Sequence, residues 1–158
     1  MSMYSHAPQD YDCPFCRLAN GRDTSGSTQA DVVWHDTDVT VFVPTGWWPN
    51  NEGHVLIIPN KHYENIYELP PELGTPIARI TQRVALGFKE LYECEGVSTR
   101  QHNEPHGNQD VWHYHLHVFP RYEGDNLYMS RRRNASGIER RPYAERLRAW
   151  LDDLDNPK

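Results

Sequence analysis

His113-Tyr114-His115-Leu116-His117-Val118-Phe119 alternates without a break, and its reading decides the fold. It follows His106-Gly107-Asn108-Gln109-Asp110-Val111-Trp112 and runs into Pro120-Arg121. Aromatic and β-branched residues in strict alternation predict a β-strand. Successive side chains on a strand point to opposite faces. Val111, His113, His115, His117 and Phe119 therefore share one face; Trp112, Tyr114, Leu116 and Val118 share the other, a candidate core face. Three imidazoles then stand in a row, about 7 Å apart at the usual strand rise. Near neutral pH an imidazole serves as nucleophile, acid–base group or metal ligand. Nine histidines in 158 residues make some clustering inevitable. Three on one strand face, with an apolar face behind them, ask for a chemical reason.

Working outward, Asp31-Val32-Val33-Trp34 and Val39–Val43 read as strands joined by the turn His35-Asp36-Thr37-Asp38, where Asp side chains bond their own backbone. His54–Pro59 is a strand apolar on both faces, as a central strand is. Leu69-Pro70-Pro71-Glu72 opens a helix, since Pro suits a first helical turn and Glu its positive end. Leu73, Ile77, Ile80, Val84, Phe88 and Leu91 step by three or four along its buried stripe, which ends near Gly96. Cys94 in the last turn is read as a packed thiol. Val97–His102 is a further short strand. His35, His102 and His106 are read as solvated. Tyr143, Leu147, Trp150, Leu151 and Leu154 mark a terminal amphipathic helix. Strands and helices in this order predict an α+β fold rather than alternating βαβ. The expected division is a flexible segment 1–12, one domain over 13–125, and an Arg-rich tail with a packed helix over 126–158.

Composition narrows the class. The length suits a single core. A net charge of −6 argues against general nucleic-acid binding but not against a small phosphate ligand. Three cysteines are too few for a disulfide framework. No apolar run reaches the roughly 20 residues of a membrane span, and MSMYSHAPQDYD lacks the features of a signal peptide. The expectation is a soluble cytoplasmic protein.

The run His-x-His-x-His followed by two apolar residues resembles the signature of the histidine triad (HIT) superfamily of nucleotidyl hydrolases and transferases. Gly107-Asn108-Gln109 resembles that family's phosphate-contacting segment. Gly53-His54-Val55-Leu56-Ile57-Ile58-Pro59-Asn60-Lys61-His62 resembles its Gly-His-apolar-Ile-Pro-Lys-x-His strand. The matches keep the family's order and nearly its spacing, across roughly residues 13 to 122. The resemblance implies a five-stranded antiparallel sheet with one long helix, pairing as a homodimer, and a small-molecule nucleotide substrate. It further implies His115 as nucleophile, with His117 and His54 supporting it, and Asn103 and Gln109 as phosphate and leaving-group contacts. Phe15, Leu18 and Phe42 match base-pocket positions that are equally ordinary core positions.

Cys13-Pro14-Phe15-Cys16 admits three readings. A redox pair normally follows a strand, and none precedes Cys13. A zinc site needs two more N or S ligands, for which His62 and His113 are candidates. A pair of reduced thiols is the third. Some bacterial HIT proteins resemble this chain in joining such a pair to those two histidines, which implies a structural zinc. The chain also departs from the family pattern. Pro44 stands where an acidic residue usually holds the ribose, and Asp110 where Ser or Thr is common. Trp47-Trp48 falls in a lengthened loop, where it can cap a base, face a partner or pack on the domain edge. Seven arginines lie between Arg131 and Arg148. They form a solvated face, or else Arg131-Arg132-Arg133 meets a polyphosphate or a partner. The rival to an enzyme is a zinc-stabilised nucleotide-binding or protein-interaction module with little turnover.

Overall fold

The structure, a computed structural model, describes residues 3–155. In chain order it forms α1 (Pro14–Ala19), β1 (Val32–His35), β2 (Val39–Phe42), β3 (Gly46–Trp47), β4 (Val55–Pro59), α2 (Gly74–Tyr92), β5 (Gly96–Gln101), β6 (Leu116–Arg121), β7 (Arg133–Asn134) and α3 (Gly137–Asp155). Five strands make one sheet in the order β1-β2-β4-β6-β5, each pair antiparallel. The α+β expectation therefore holds. β4 lies at the centre with every residue buried, as its two apolar faces require.

Register sorts the two sheet faces. Val41 pairs with Ile57 and Ile57 with Leu116, and this face carries the main core. Ile77, Ile80, Val84 and Phe88 of α2 and Ala144, Leu147 and Leu151 of α3 close over it. α2 begins one 3-10 turn later than the Pro pair indicates, because Pro71–Leu73 winds tightly first. It ends at Tyr92, ahead of Gly96, where Glu93 turns left-handed at φ 52°. On the opposite face Phe42, Leu56 and Ile58 meet Leu18 and Ala19 of α1 in a smaller core.

The histidine stretch is a strand only in its second half. β6 starts at Leu116, opposite Ile57 of β4 and Gln101, the last residue of β5; pairing with β4 stops there although β4 runs on to Pro59. His113 N–H turns back to Val111 O at 2.8 Å, and Tyr114 N–H reaches Tyr63 O at 2.6 Å. The alternation survives the bend. Tyr114 and Val118 join the main core, while His113, His115 and His117 stay buried on the α1 side. Trp112 does not join that core; its ring lies half-buried, 5.6 Å from that of His6.

Segments expected to be loose are held. The buried Glu64 carboxylate accepts Ser5 Oγ at 2.5 Å and His6 N–H at 2.5 Å. The lengthened loop after β2 contains β3, which pairs with β7 and buries Trp47 to 1 % exposure. The arginine run is not uniformly solvated. Arg140 is buried, and its Nε and Nη2 each bond one oxygen of buried Asp31 at 2.9 Å. Its other donors reach Ala135 O at 2.5 Å and Gly26 O at 2.9 Å. This clamp fixes α3 and the β7 segment against the loop before β1. On α3, Leu154 is exposed, so the buried stripe ends at Leu151. Among the described residues, no helix is long and apolar enough to cross a membrane.

Candidate active site

The site forms where β4 and β6 begin, beneath α1. His117 faces Leu56 on one neighbouring strand and Arg100 on the other. His54 directly precedes β4. It is fully buried, with its ring stacked 4.6 Å from Phe119 and Trp48 edge-on at 5.5 Å. Neither of its ring nitrogens has a hydrogen-bond partner among the described residues. Burial, reinforced by Arg100 and Arg132, pushes His54 down to about 3. Burial also lowers His115, and holds His117 well below the ordinary imidazole value with His54 adding to the effect. The cluster is therefore neutral at physiological pH.

His115 has a defined tautomer. Its Nδ1 lies 2.7 Å from His113 O. A carbonyl only accepts, so Nδ1 carries the proton and Nε2 presents a lone pair. His115 lines a cavity of about 220 Å³ together with His54 and His117. Phe15, Phe42, Pro44 and Leu56 form its apolar wall, and Asp110 and Arg132 stand at its polar end. Asp110 Oδ1 is 3.8 Å from His115 Nε2, and Asp110 Oδ2 accepts Arg132 Nη1 at 2.7 Å. The Asp110 departure is thus matched by a cation 22 residues further along the chain.

Beside the triad, Cys13, Cys16, His62 and His113 bring their ligand atoms within 4.8 Å of one another. His113 Nδ1 is 3.3 Å from Cys13 Sγ and 3.5 Å from Cys16 Sγ, and His62 Nδ1 is 3.3 Å from Cys16 Sγ. Two sulfurs and two imidazole nitrogens at such separations fit a tetrahedral zinc, with bonds of about 2.3 and 2.0 Å. His113 Nε2 donates to Pro59 O at 2.9 Å, which turns Nδ1 toward the sulfurs as an outer-shell partner would. Burial and the neighbouring Cys13 push the Cys16 thiol up to about 12.

The HIT domain family model matches residues 25–124. The chain belongs to the HIT family. An uncharacterised HIT-like protein of Methanocaldococcus jannaschii is 36% identical over 113 residues, covering 72% of this chain and 81% of that protein. The protein named hit of Bacillus subtilis is 32% identical, covering 73% of this chain and 76% of its own length. Among solved structures, a zinc-bound histidine triad family protein from Mycobacterium smegmatis superposes with a TM-score of 0.75 at 28% identity. That alignment covers 95% of this chain and all of the other.

Several residues singled out by the HIT resemblance take other places. Phe15 and Phe42 line the cavity, meeting edge-on at 5.3 Å, but Leu18 lies behind them in the core. Gln109 turns away from the cavity: its amide donates to Glu64 O at 2.5 Å and Val111 O at 3.0 Å, and its carbonyl accepts from Glu104 N–H. Asn103 accepts Ile66 N–H at 2.8 Å and donates to Gln101 Oε1 at 2.8 Å. Both side chains hold the 101–111 loop. His102, read as solvated, is half-buried, with Nδ1 2.5 Å from Gly107 O and its ring 5.9 Å from that of His117. Arg100 joins the site without any local motif to mark it. Trp47-Trp48 and Arg131-Arg132-Arg133 were open candidates for base and phosphate contacts, and the structure brings Trp48 and Arg132 to the site.

Proposed function

We propose that this HIT protein is a nucleotidyl hydrolase or transferase that cleaves a phosphoanhydride or phosphoramidate through a covalent intermediate on His115. The observation that carries this reading is the His115 tautomer: Nδ1 is held by His113 O, and Nε2 is aimed at the polar end of an apolar-walled cavity. The base would rest between Phe15, Phe42 and Leu56. Nε2 attacks phosphorus, a P–N bond forms, and the bond to the leaving group breaks with its electron pair going to that group. Water then attacks phosphorus, the P–N electrons return to Nε2, and the proton lost by water passes to solvent. Positioned hydrogen-bond donors would stabilise the charge on the phosphoryl oxygens. Neutral, desolvated imidazoles suit this role, because a protonated ring has no lone pair to give.

Cys13, Cys16, His62 and His113 would hold zinc, which leaves no open position for substrate and so serves structure. His113 has two tasks in this reading: its ring ligates, and its carbonyl sets the His115 tautomer. The alternative, a binding module with little turnover, draws support from the Asp110 carboxylate standing where a phosphoryl group would meet Nε2.

Intact mass after incubation with adenylated and guanylated substrates, with released monophosphate assayed in the same tubes, decides between them. The expected result is an added nucleotidyl group or released monophosphate in the wild type, and neither in His115→Ala. An adduct or full turnover in His115→Ala overturns the nucleophile assignment.

A further inference from the structure

A second cavity of about 290 Å³ opens on the far side of His117. Trp48, Arg100, His102 and Asn108 form its own walls, and it shares Asp110, His117 and Arg132 with the first. Its charge is unlike that of the chain as a whole, which carries −6. Two guanidinium groups and two imidazoles line it with one carboxylate, and that carboxylate is already bonded to Arg132. Arg100 sits directly across from His117 in the β5–β6 register. Its guanidinium lies 4.7 Å from the Trp48 ring centre and 4.9 Å from that of Phe119. Its Nε is buried without a hydrogen-bond partner among the described residues. The aromatic rings fix this cation in place, yet nothing among the described residues neutralises it. Arg132 reaches the cavity across Gly46, where an added Cβ would lie 2.6 Å from Arg132 Cδ. The path of Arg132 to Asp110 thus depends on glycine at that position.

We propose that Arg100 and Arg132 form an anion subsite for the leaving group, so that the enzyme favours substrates that depart as a phosphate or polyphosphate. The reaction is taken from the nucleotidyl-transfer reading above; the anion subsite stands on its own geometry. Asp110 holds Arg132 in place while the subsite is empty and yields it to the incoming anion. In the reaction Nε2–P forms and P–O breaks, and the electron pair stays on the departing phosphate oxygen. That oxygen needs no proton, because the two guanidinium groups stabilise its charge. An amine leaving group must instead gain a proton and draws no benefit from them. Guanidinium suits the task better than ammonium, since its planar fork meets two phosphate oxygens at once.

The test compares two substrates that share an adenylyl group. Diadenosine triphosphate releases ADP, and adenosine 5′-phosphoramidate releases ammonia. The full chain is assayed with Arg132→Gln, Arg132→Lys and Arg100→Gln. The Arg132 side chain is 49% exposed, so its replacement leaves the fold intact. Losing one charged hydrogen bond should lower kcat/KM for the triphosphate roughly 10- to 100-fold. The loss for the triphosphate should exceed that for the phosphoramidate by at least about tenfold, and Arg132→Lys should recover part of that difference. Equal changes for both substrates, or none, overturn the subsite. Equilibrium binding of inorganic triphosphate to the same proteins separates the two layers of the argument. Weaker binding in both glutamine variants supports the subsite even if the wild type cleaves neither substrate, an outcome that removes only the nucleotidyl-transfer reading. Unchanged binding overturns the subsite whatever the turnover.

Discussion

Replacing Arg140 should be the costliest change in the C-terminal segment, although Arg140 touches no part of the cavity. Its guanidinium is 4% exposed and holds both oxygens of Asp31, itself 3% exposed, while also donating to Ala135 O and Gly26 O. Asp31 additionally accepts Thr28 N–H at 2.8 Å. In Arg140→Met the aliphatic stem is kept and the charge is lost, which leaves a buried carboxylate without its cation. Breaking one side of a buried pair costs about 3–5 kcal/mol, far more than the 0–1 kcal/mol of an exposed pair such as Arg17–Asp12. For a domain of this size that lowers Tm by roughly 6–20 °C. Arg140→Lys should fall between, since an ammonium on a flexible stem cannot serve two oxygens and two carbonyls together. The double variant Asp31→Leu/Arg140→Met removes both charges and should recover much of the loss. Urea unfolding of the wild type, Asp31→Leu, Arg140→Met and the double variant measures the coupling. A loss below about 1 kcal/mol in Arg140→Met, or a double variant no better than the sum of its parts, would refute the reasoning. The clamp bears on function too, because Ala135 follows β7, and β7 places Arg132.

Gly46→Ala should push Arg132 off Asp110 without removing its charge, so kcat/KM for a polyphosphate substrate should fall in the same direction as in Arg132→Gln but by less; an unchanged value would show that Arg132 finds another route. His54 makes stability depend on pH with a definite sign. Its folded value, about 3, lies below the ordinary 6.5, so its contribution is whole above pH 6.5 and is lost as pH falls toward 3. One such proton contributes a slope of about 1.4 kcal/mol per pH unit. His54→Phe, which keeps the stack on Phe119, should flatten the curve of unfolding free energy against pH by that share, and identical slopes in the two proteins would count against it. Zinc content should be one equivalent per chain in the wild type and fall in Cys13→Ser and His62→Ala, with Tm dropping on chelation; metal-free protein of unchanged Tm would remove zinc from the structural account.

The lesson about legibility lies in particular residues. Tyr114, Leu116 and Val118 were assignable to the core, and His113, His115 and His117 to one side, from alternation alone. That pattern outlasted the loss of strand geometry at residues 111–115. The long helix was equally plain in the spacing of Ile77, Ile80, Val84 and Phe88. The convergence of Cys13, Cys16, His62 and His113 was reached only through family resemblance, since two of these ligands lie far along the chain from the cysteine pair. Trp48 and Gln109 were visible as residues to explain, but their partners were not. Gln109 spends its amide on the backbone of the 101–111 loop, and Trp48 meets His54 and Phe119 across a loop whose course local preferences leave open.

What the sequence by itself determined is periodic or compositional: which side chains alternate toward the core, which helix face is apolar, and which groups have the chemistry of a nucleophile or a metal ligand. These properties follow from a strand's period of two, a helix's period of 3.6, and the functional groups themselves. What only the tertiary structure decided is which distant charges meet. Arg140 is buried on Asp31, Arg132 is bonded to Asp110, and Arg133 is paired with the exposed Glu139. The three arginines are alike in sequence and differ in burial. The free energy of a charge depends on its solvent exposure and on the partner beside it, and both are set only when separate segments of the chain close on one another.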